Sequence, residues 1–583
     1  MILDSAQSSF IVYPTPVYLT LTSILGLFAL QASPSFVPLV LLLATLRLFI
    51  AVVISREHAS LKIILAIACL AASTTIANIG TSLNAIPEVH TSTAVFSLFF
   101  LTCITSTLII GALLVDATFR PSVHRMWSHF LFFPTVWSTA LLIASAVSPL
   151  GYLATWTPAL GVGAYSWLRP ILGPSGIDWV VGAWAVVISE LMGVWIMGSS
   201  HQTVAYEEEH LIPVFGEDTP EEPERPRRSL LLFYISVILC FGALPSYFRA
   251  SLPIPVNSDF TVPLSVACAL PFVEDSERKL SFEEYLLETQ RITSLAKVIL
   301  WPEGAIRFET EQAKQESIEK IALNAAGSVI GVSFEDHMNT TERSDKLRNG
   351  IMLIDKDGVV FEYFKRHLVP FVETNAMVSY SATPALFDYQ LVTKRNSRGK
   401  ATEFLPVSIT ASICLDFAHP SIFSSLARRP TLILAPARTW HPSIGSAMWE
   451  QARARAEEIG SAVLWCDGGA QGISGIGGHR LELGEILQVG LGSWTRTIGL
   501  EIEAGDKRTI YGFFGPWLSM ALIWYAFGME RLMEWVILRI RGERGMEFGA
   551  GFGARLSRDV IERLREWRRG RQLDELNERA SLL

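Results

Sequence analysis

The sequence predicts a polytopic helical membrane protein into which one α/β domain is inserted. Three observations predict it. Half of the 583 residues are hydrophobic, only 18% are charged, and mean hydropathy is +0.34, a balance too apolar for a soluble enzyme. About eight apolar bands span, or nearly span, the ~20 residues a helix needs to cross hydrocarbon. Between the last two of these bands the pattern changes to short apolar runs that alternate with helical stretches.

Seven bands lie in the first part of the chain, residues 1–248: roughly 15–31, 36–54, 61–79, 93–115, 130–148, 177–198 and 229–247. The first lacks a basic segment before it, and "ALQASPS" is a weak cleavage signal, so it reads as a retained helix. Lys and Arg set the orientation. They concentrate in the even loops ("SREHASLK", "FRPSVHRMWSH", "EEPERPRRS") and in the tail, whereas the odd loops hold only Arg169. Both termini are therefore expected in the cytosol and the inserted domain outside it. The sixth loop also carries "YEEEH" and "GEDTPEEPE", a solvated linker. Two charges fall within bands: Arg47, near enough to a band end to snorkel, and Glu190, expected to pair within the bundle. Neither reads as catalytic.

The α/β domain is expected over 258–508. Helical patterns ("SFEEYLLETQRITSLA", "MWEQARARAEEIG") alternate with strand-like runs ("VILWPE", "GSVIGVSF", "GIMLID", "GVVFEYF", "SITASICLDF", "TLILAP", "SAVLWCDG"). "DKDG" marks a hairpin in which Gly358 supplies positive φ. The eighth membrane helix follows at 509–540, and a basic tail, 541–583, has a helical pattern suited to an anionic membrane surface or to solvent. A formal net charge of -8 and the lack of a basic aromatic module argue against nucleic acid as a partner. Six cysteines show no CxxC pair and no metal-ligand spacing, so neither a disulfide framework nor a metal site is predicted.

Three reactive side chains follow apolar strands. "KVILWPEGA" places Glu303 in a turn shaped by Pro302 and Gly304, "VVFEYFKRHLVPF" places Lys365 at the end of a hairpin strand, and "SITASICLDFAHP" places Cys414 near a strand end with Asp416 after it. Strand ends are where side chains of an α/β domain converge on one cleft. A thiol becomes a good nucleophile once a neighbour takes its proton, and a carboxylate in a partly apolar pocket can do so. A fixed ammonium can hold the oxyanion formed on attack at an acyl carbon. Glu, Lys and Cys thus suffice for acyl transfer through a thioester, with no cofactor.

The motifs "WPEGA", "KRHLVPFVE" and "SICLDFAHP" resemble the glutamate, lysine and cysteine motifs of the nitrilase superfamily (carbon–nitrogen hydrolases), and more narrowly those of the bacterial apolipoprotein N-acyltransferases. "SPLGYLATWTP", "LGPSGIDWVVGAW" and "YGFFGPW" also resemble membrane segments of that family, so the likeness covers about 130–535. The resemblance implies eight transmembrane helices with an inserted nitrilase-type αββα sandwich outside the cytosol. It implies Glu303, Lys365 and Cys414 as catalytic residues and points to Glu373 as a second acid of the cleft, with Asp416 supporting. Arg366 and His367 then fix the local turn. It further implies a phospholipid acyl donor, a lipid-linked or protein amine as acceptor (in the family, the N-terminus of a diacylglyceryl-modified lipoprotein cysteine), and no cofactor. Trp440, with Trp494, Trp517 and Tyr511, is a candidate to line the acyl entrance, the last two fitting an interfacial belt better.

The chain departs from the family pattern in two places. Leu415 and Asp416 stand where the family has Tyr-Glu, and "APARTW" (Ala435 to Trp440) where it reads close to "NDAW". These flank the nucleophile and bear on the acceptor. A membrane-tethered amidase would use the same residues, and an inert nitrilase-like scaffold or transporter is the reading from another class. The compartment is a bacterial inner membrane or an endomembrane such as the endoplasmic reticulum, with the divergent pocket and long tail favouring the latter.

Overall fold

The computed structural model describes residues 2–54, 57–85, 90–119, 126–197, 225–248, 261–273, 278, 280–325, 327–337, 346–395, 401–478, 481–501 and 507–540. The charged sixth-loop linker at 206–223 and the tail at 541–583 lie outside them, as do parts of the second and fourth loops. Met1–Trp524 form one compact unit; the described part of the second, Tyr525–Leu583, is the end of the last helix, to Ile540.

The N-terminal part is helical: α1 (Ile2–Val12), α2 (Pro14–Ala29), α3 (Phe36–Val53), α4 (Ala59–Ala77), α5 (Ile79–Leu83), α6 (Thr91–Phe119), α7 (Met126–Val147), α8 (Arg169–Met197) and α9 (Arg225–Phe248). Among the described residues seven helical segments are long and apolar enough to cross a membrane. The first expected band differs: its helix, α2, has 16 residues, about 24 Å at 1.5 Å per residue against a core of about 30 Å. Pro14 starts that helix and ends the run of α1, which shortens it. Side chains such as Leu43, Phe49, Trp137 and Val181 form the apolar interior of the bundle.

Arg47 does not snorkel. It is buried, its Nε 3.0 Å from Asp116 Oδ2 and its Nη1 3.0 Å from Glu190 Oε1 and 2.5 Å from Ser189 Oγ. Three helices thus share one buried guanidinium, and Glu190 pairs within the bundle as expected. A charge that finds carboxylates at its own depth has no reason to reach for the interface.

The inserted part contains β1 (Thr261–Cys268), α10 (Phe282–Ile292), β2 (Val298–Leu300), β3 (Ile306–Phe308), α11 (Glu311–Asn324), β4 (Val329–His337), β5 (Leu347–Asp355), β6 (Gly358–Phe364), β7 (Phe387–Arg395), β8 (Ala401–Ala411), β9 (Leu432–Ala437), α12 (Pro442–Ile459), β10 (Ala462–Asp467), β11 (Ile473–Gly478), β12 (Leu481–Val489) and β13 (Trp494–Glu501). They make two mixed sheets, ordered β13-β1-β2-β4-β5-β6 (with β3 beside β4) and β12-β11-β10-β9-β8-β7. Strand alternation builds the layers. Leu264, Val266, Val298 and Leu300 face inward to a core shared with Ile409, Leu434 and Trp465 of the second sheet. Ala267, Ile299, Ile330 and Met352 face outward onto Tyr285 of α10 and Ile318 of α11. α12 packs on the second sheet through Met448, Trp449 and Ala452, so the order of layers is α, β, β, α.

Local signals explain the elements. Ser281 and Glu284 form a capping box at the start of α10, and Gly460 ends α12 with φ 76°. Asp355 pairs with Gly358, whose φ of 119° closes the β5–β6 hairpin as the "DKDG" stretch predicts. The last helix, α13 (Ile510–Ile540), breaks at Gly515 before Pro516, as α8 breaks at Gly173 before Pro174.

The expectation about the cysteines is overturned as well. Cys268 and Cys466 form a disulfide, Cα–Cα 5.7 Å, joining β1 of one sheet to β10 of the other. Their separation of 198 residues hid the pair, because only the facing of the sheets brings them together.

Candidate active site

Glu303, Lys365 and Cys414 come from three different strand ends. Glu303 follows β2 in a turn where Gly304 takes φ 59°, Lys365 is the residue after β6, and Cys414 begins a short 3-10 helix, Cys414–Ala418, just beyond β8. β2 and β8 run parallel to their neighbours β4 and β9 in their own sheets. Two carboxyl-terminal strand ends, one from each sheet, thereby face a common point.

All three side chains are buried, Lys365 at 1% exposure, Cys414 and Glu303 at 5%. Lys365 Nζ donates to Glu303 Oε1 and to Glu373 Oε1, each at 2.7 Å. The Glu303 carboxylate is near enough to the Cys414 thiol to act on its titration. Burial would lower the Lys365 ammonium, but Glu303 and Glu373 outweigh it and hold its pKa above the usual value. Burial, then the negative charge of Glu303, pushes the Cys414 thiol well up despite Lys365, so the resting group is the thiol. Burial likewise lifts Glu373, against the pull of Lys365. An ammonium has three protons, and two are engaged by carboxylates. The third is available to a developing oxyanion.

The carboxylate of Glu303 is oriented by groups that the sequence reading missed. Asn349 Nδ2 donates to its Oε1 at 2.8 Å, and the Arg438 backbone N–H donates to its Oε2 at 3.0 Å. Asn349 carried a slight signal, an amide immediately before the strand-like run "GIMLID"; its burial is visible only in the structure. Arg438 carried none, since its contribution is a backbone proton supplied by the loop after β9.

Asp416 is a structural hub. Its Oδ1 accepts from the His367 N–H (2.8 Å), His367 Nδ1 (2.9 Å) and the Arg366 N–H (3.2 Å), and its Oδ2 accepts from Tyr363 Oη (2.8 Å) and the Ile413 N–H (3.3 Å). Although burial opposes it, His367 and then Tyr363 hold this carboxyl below its usual value. The lysine loop is thus tied to the turn that carries Cys414. Cys414 itself sits at φ 40°, a conformation that costs a non-glycine residue about 1–3 kcal/mol and that these bonds maintain.

The aromatic candidates are placed differently. Trp440 is 39% exposed, with Nε1 donating to Thr81 O of α5 at 3.1 Å, on the seam between the two parts of the chain. Trp494 lies in the core beside Cys268, and Tyr511 is buried, a Cβ on Gly173 falling 2.2 Å from its ring. Neither is an entrance or belt residue; β pairing and the Gly173 break draw both inward. Trp517, at 80% exposure, fits the belt. Among the described residues no group of His, Cys, Asp and Glu has a metal-holding arrangement.

No protein-family model matches the chain, and no curated protein does. Solved structures resemble part of it. An amidase of the nitrilase superfamily from Nesterenkonia AN1 aligns with 44% of this chain and 95% of its own at 17% identity, TM-score 0.31. A carbon–nitrogen hydrolase superfamily protein from Xanthomonas campestris aligns over 41% of this chain and 91% of its own at 16% identity, TM-score 0.30. A glutamine-dependent NAD(+) synthetase from Cytophaga hutchinsonii aligns over 41% and 43% at 14% identity, TM-score 0.28. The chemistry open to the buried cluster follows from its own geometry.

Proposed function

We propose that this protein is an integral-membrane N-acyltransferase that moves an acyl chain from a phospholipid to an amine through a thioester on Cys414. The observation that carries the reading is Lys365 seated between Glu303 and Glu373, with the Cys414 thiol against Glu303, in a chain with seven membrane-length helices. The motif resemblance to apolipoprotein N-acyltransferases points the same way.

In the first step Glu303 takes the thiol proton as the sulfur attacks the ester carbonyl. A carbon–sulfur bond forms, and the oxyanion accepts from the third Lys365 proton. The carbon–oxygen bond then breaks, and the departing lysophospholipid oxygen receives the proton from Glu303. In the second step an amine attacks the thioester, Glu303 accepts a proton from nitrogen, and the thiolate leaves to be reprotonated. Glu373 keeps Lys365 charged and fixed throughout. The acceptor is a lipid-linked or protein amine that reaches the site at the membrane surface.

Two features favour transfer over the hydrolysis an amidase would perform. The nucleophile lies in an apolar cluster, which keeps water scarce around the thioester, and both proposed substrates are delivered by a bilayer. The buried disulfide supports a catalytic domain outside the cytosol, because such bonds persist in oxidising compartments. With the Lys and Arg bias of the loops, it supports a topology with both termini in the cytosol.

The test is acyl-enzyme trapping. Protein in detergent is given phospholipid with a clickable acyl chain, and hydroxylamine-sensitive label is sought on Cys414, with Cys414→Ala as control. Label that disappears in the control establishes the phospholipid-derived thioester. Its absence over several lipid classes removes the transferase reading in favour of an amidase or an inert domain. Cys240, an exposed free thiol, is the comparison for nonspecific labelling, since Cys466 is disulfide-bonded.

A further inference from the structure

We propose that the segment Pro149–Leu153, which belongs to the membrane part of the chain, is a clamp that sets the nucleophile turn, with Gly151 and His419 as positioning residues. The proposal rests on the reading of Cys414 as the nucleophile.

Four contacts carry it. Gly151 takes φ 54°, and a Cβ there would lie 2.3 Å from Ala418 O, the last residue of the 3-10 helix that Cys414 begins. His419 Nε2 donates to Pro149 O at 3.2 Å. The rings of His419 and His367 stack, centroids 3.6 Å apart and planes 12° apart. Leu150 and Leu153 pack against the same apolar cluster that holds Cys414.

These contacts form one continuous path. The segment just after the membrane-length helix α7 touches Ala418 and His419; His419 stacks on His367; His367 donates to Asp416; and Asp416 holds both the lysine loop and the strained turn at Cys414. A residue held at φ 40° keeps that geometry only while its surroundings over-determine it. The α/β domain supplies part of that determination and the membrane part supplies the rest. A shift of α7 along or across the bilayer is therefore felt at the sulfur, which ties nucleophile geometry to the seating of the protein in lipid.

The clamp is also sensitive to acid. Burial, then the charge of His367, lowers His419 from 6.5 to about 4, with Arg366 adding to the effect and Asp416 and Pro149 O opposing it. His419 is therefore neutral in the intact clamp. A depressed histidine loses stability as pH falls below its unfolded value, so the clamp is firm above 6.5 and weakens from there toward about 4.

The test uses the full chain in detergent or nanodiscs, with two readouts: acyl-enzyme formation on Cys414 and amide hydrogen exchange over residues 413–419. Gly151→Ala is expected to lower acylation about 10²-fold, the scale of an ångström-sized misplacement, and to speed exchange in the turn. His419→Ala is expected to do the same more weakly. His419→Gln, which retains a donor for Pro149 O, is expected to restore acylation at pH 8 and to lose the extra decline that wild type shows between pH 6.5 and 5. Unchanged exchange and acylation in Gly151→Ala and His419→Ala overturn the clamp. If Gly151→Ala does not fold, the two His419 variants decide. If wild type forms no acyl-enzyme, the transferase reading fails by itself, and the exchange data still decide the clamp.

Discussion

Replacing Lys365 with methionine is the most exposing perturbation of this site. The ammonium lies 2.7 Å from each of two carboxylates, Glu303 buried and Glu373 half-buried. At an effective dielectric of about 20, one such contact is worth about 6 kcal/mol of Coulomb attraction before desolvation is subtracted. Desolvation removes most of that, and breaking a buried pair by deleting one partner costs about 3–5 kcal/mol net, because the charge left behind is uncompensated. Two carboxylates are left here, so Lys365→Met is expected at the upper end of that range. The double variant Lys365→Met/Glu373→Gln removes one of them and is expected to recover about half of the loss. Chemistry behaves differently: an oxyanion donor is worth about 10²–10³ in rate, and neither variant regains it. Chemical denaturation in detergent reads the first quantity and time-resolved acyl labelling of Cys414 reads the second. Wild-type labelling in Lys365→Met, or labelling restored in the double variant, would refute the assignment of Lys365 as the oxyanion-holding group.

Other expectations follow from the same contacts. Asn349→Ala frees one lone pair of Glu303 and is expected to slow acylation about tenfold with a stability loss of about 1–3 kcal/mol, read by labelling kinetics and denaturation. Burial and the charge of Glu303 hold the Cys414 thiol well above its ordinary value, so its alkylation by iodoacetamide is expected to keep rising with pH beyond 9; a plateau below 9 contradicts the burial argument. Asp416 is held below 3.8, so its stabilisation is present above that value and lost as pH falls through its lower folded pKa. Unfolding curves of wild type and Asp416→Asn should converge in that acid range and differ by about 3 kcal/mol at pH 7. Reducing Cys268–Cys466 opens a link between residues 198 apart, which chain entropy values at about 5 kcal/mol; a mass shift on alkylation after reduction, with a fall in denaturation midpoint, checks it.

The membrane bands were legible because an apolar helix announces itself by length and composition alone, and seven of them reappear as helices of membrane length. Strands bearing catalytic candidates were legible too, since Glu303, Lys365 and Cys414 each follow an apolar run that ends in a turn. Less legible were β7 and β11 to β13, where polar or glycine-rich stretches such as "ISGIGG" and "LELGEILQV" are strands only because a neighbour pairs with them.

What the sequence determined by itself was therefore local: which segments are apolar enough for a bilayer, which alternate as strands, and which reactive side chains stand at strand ends. Tertiary structure alone decided the contacts between positions far apart in the chain. It placed the Asn349 amide on Glu303, gave Asp416 two loops to hold, paired Cys268 with Cys466 and buried Arg47 between Asp116 and Glu190. It also set Gly151 of the membrane part against Ala418. Propensity and hydropathy act over a few residues, whereas a hydrogen bond or a disulfide depends on where two backbones meet once the sheets have faced each other and the helices have packed.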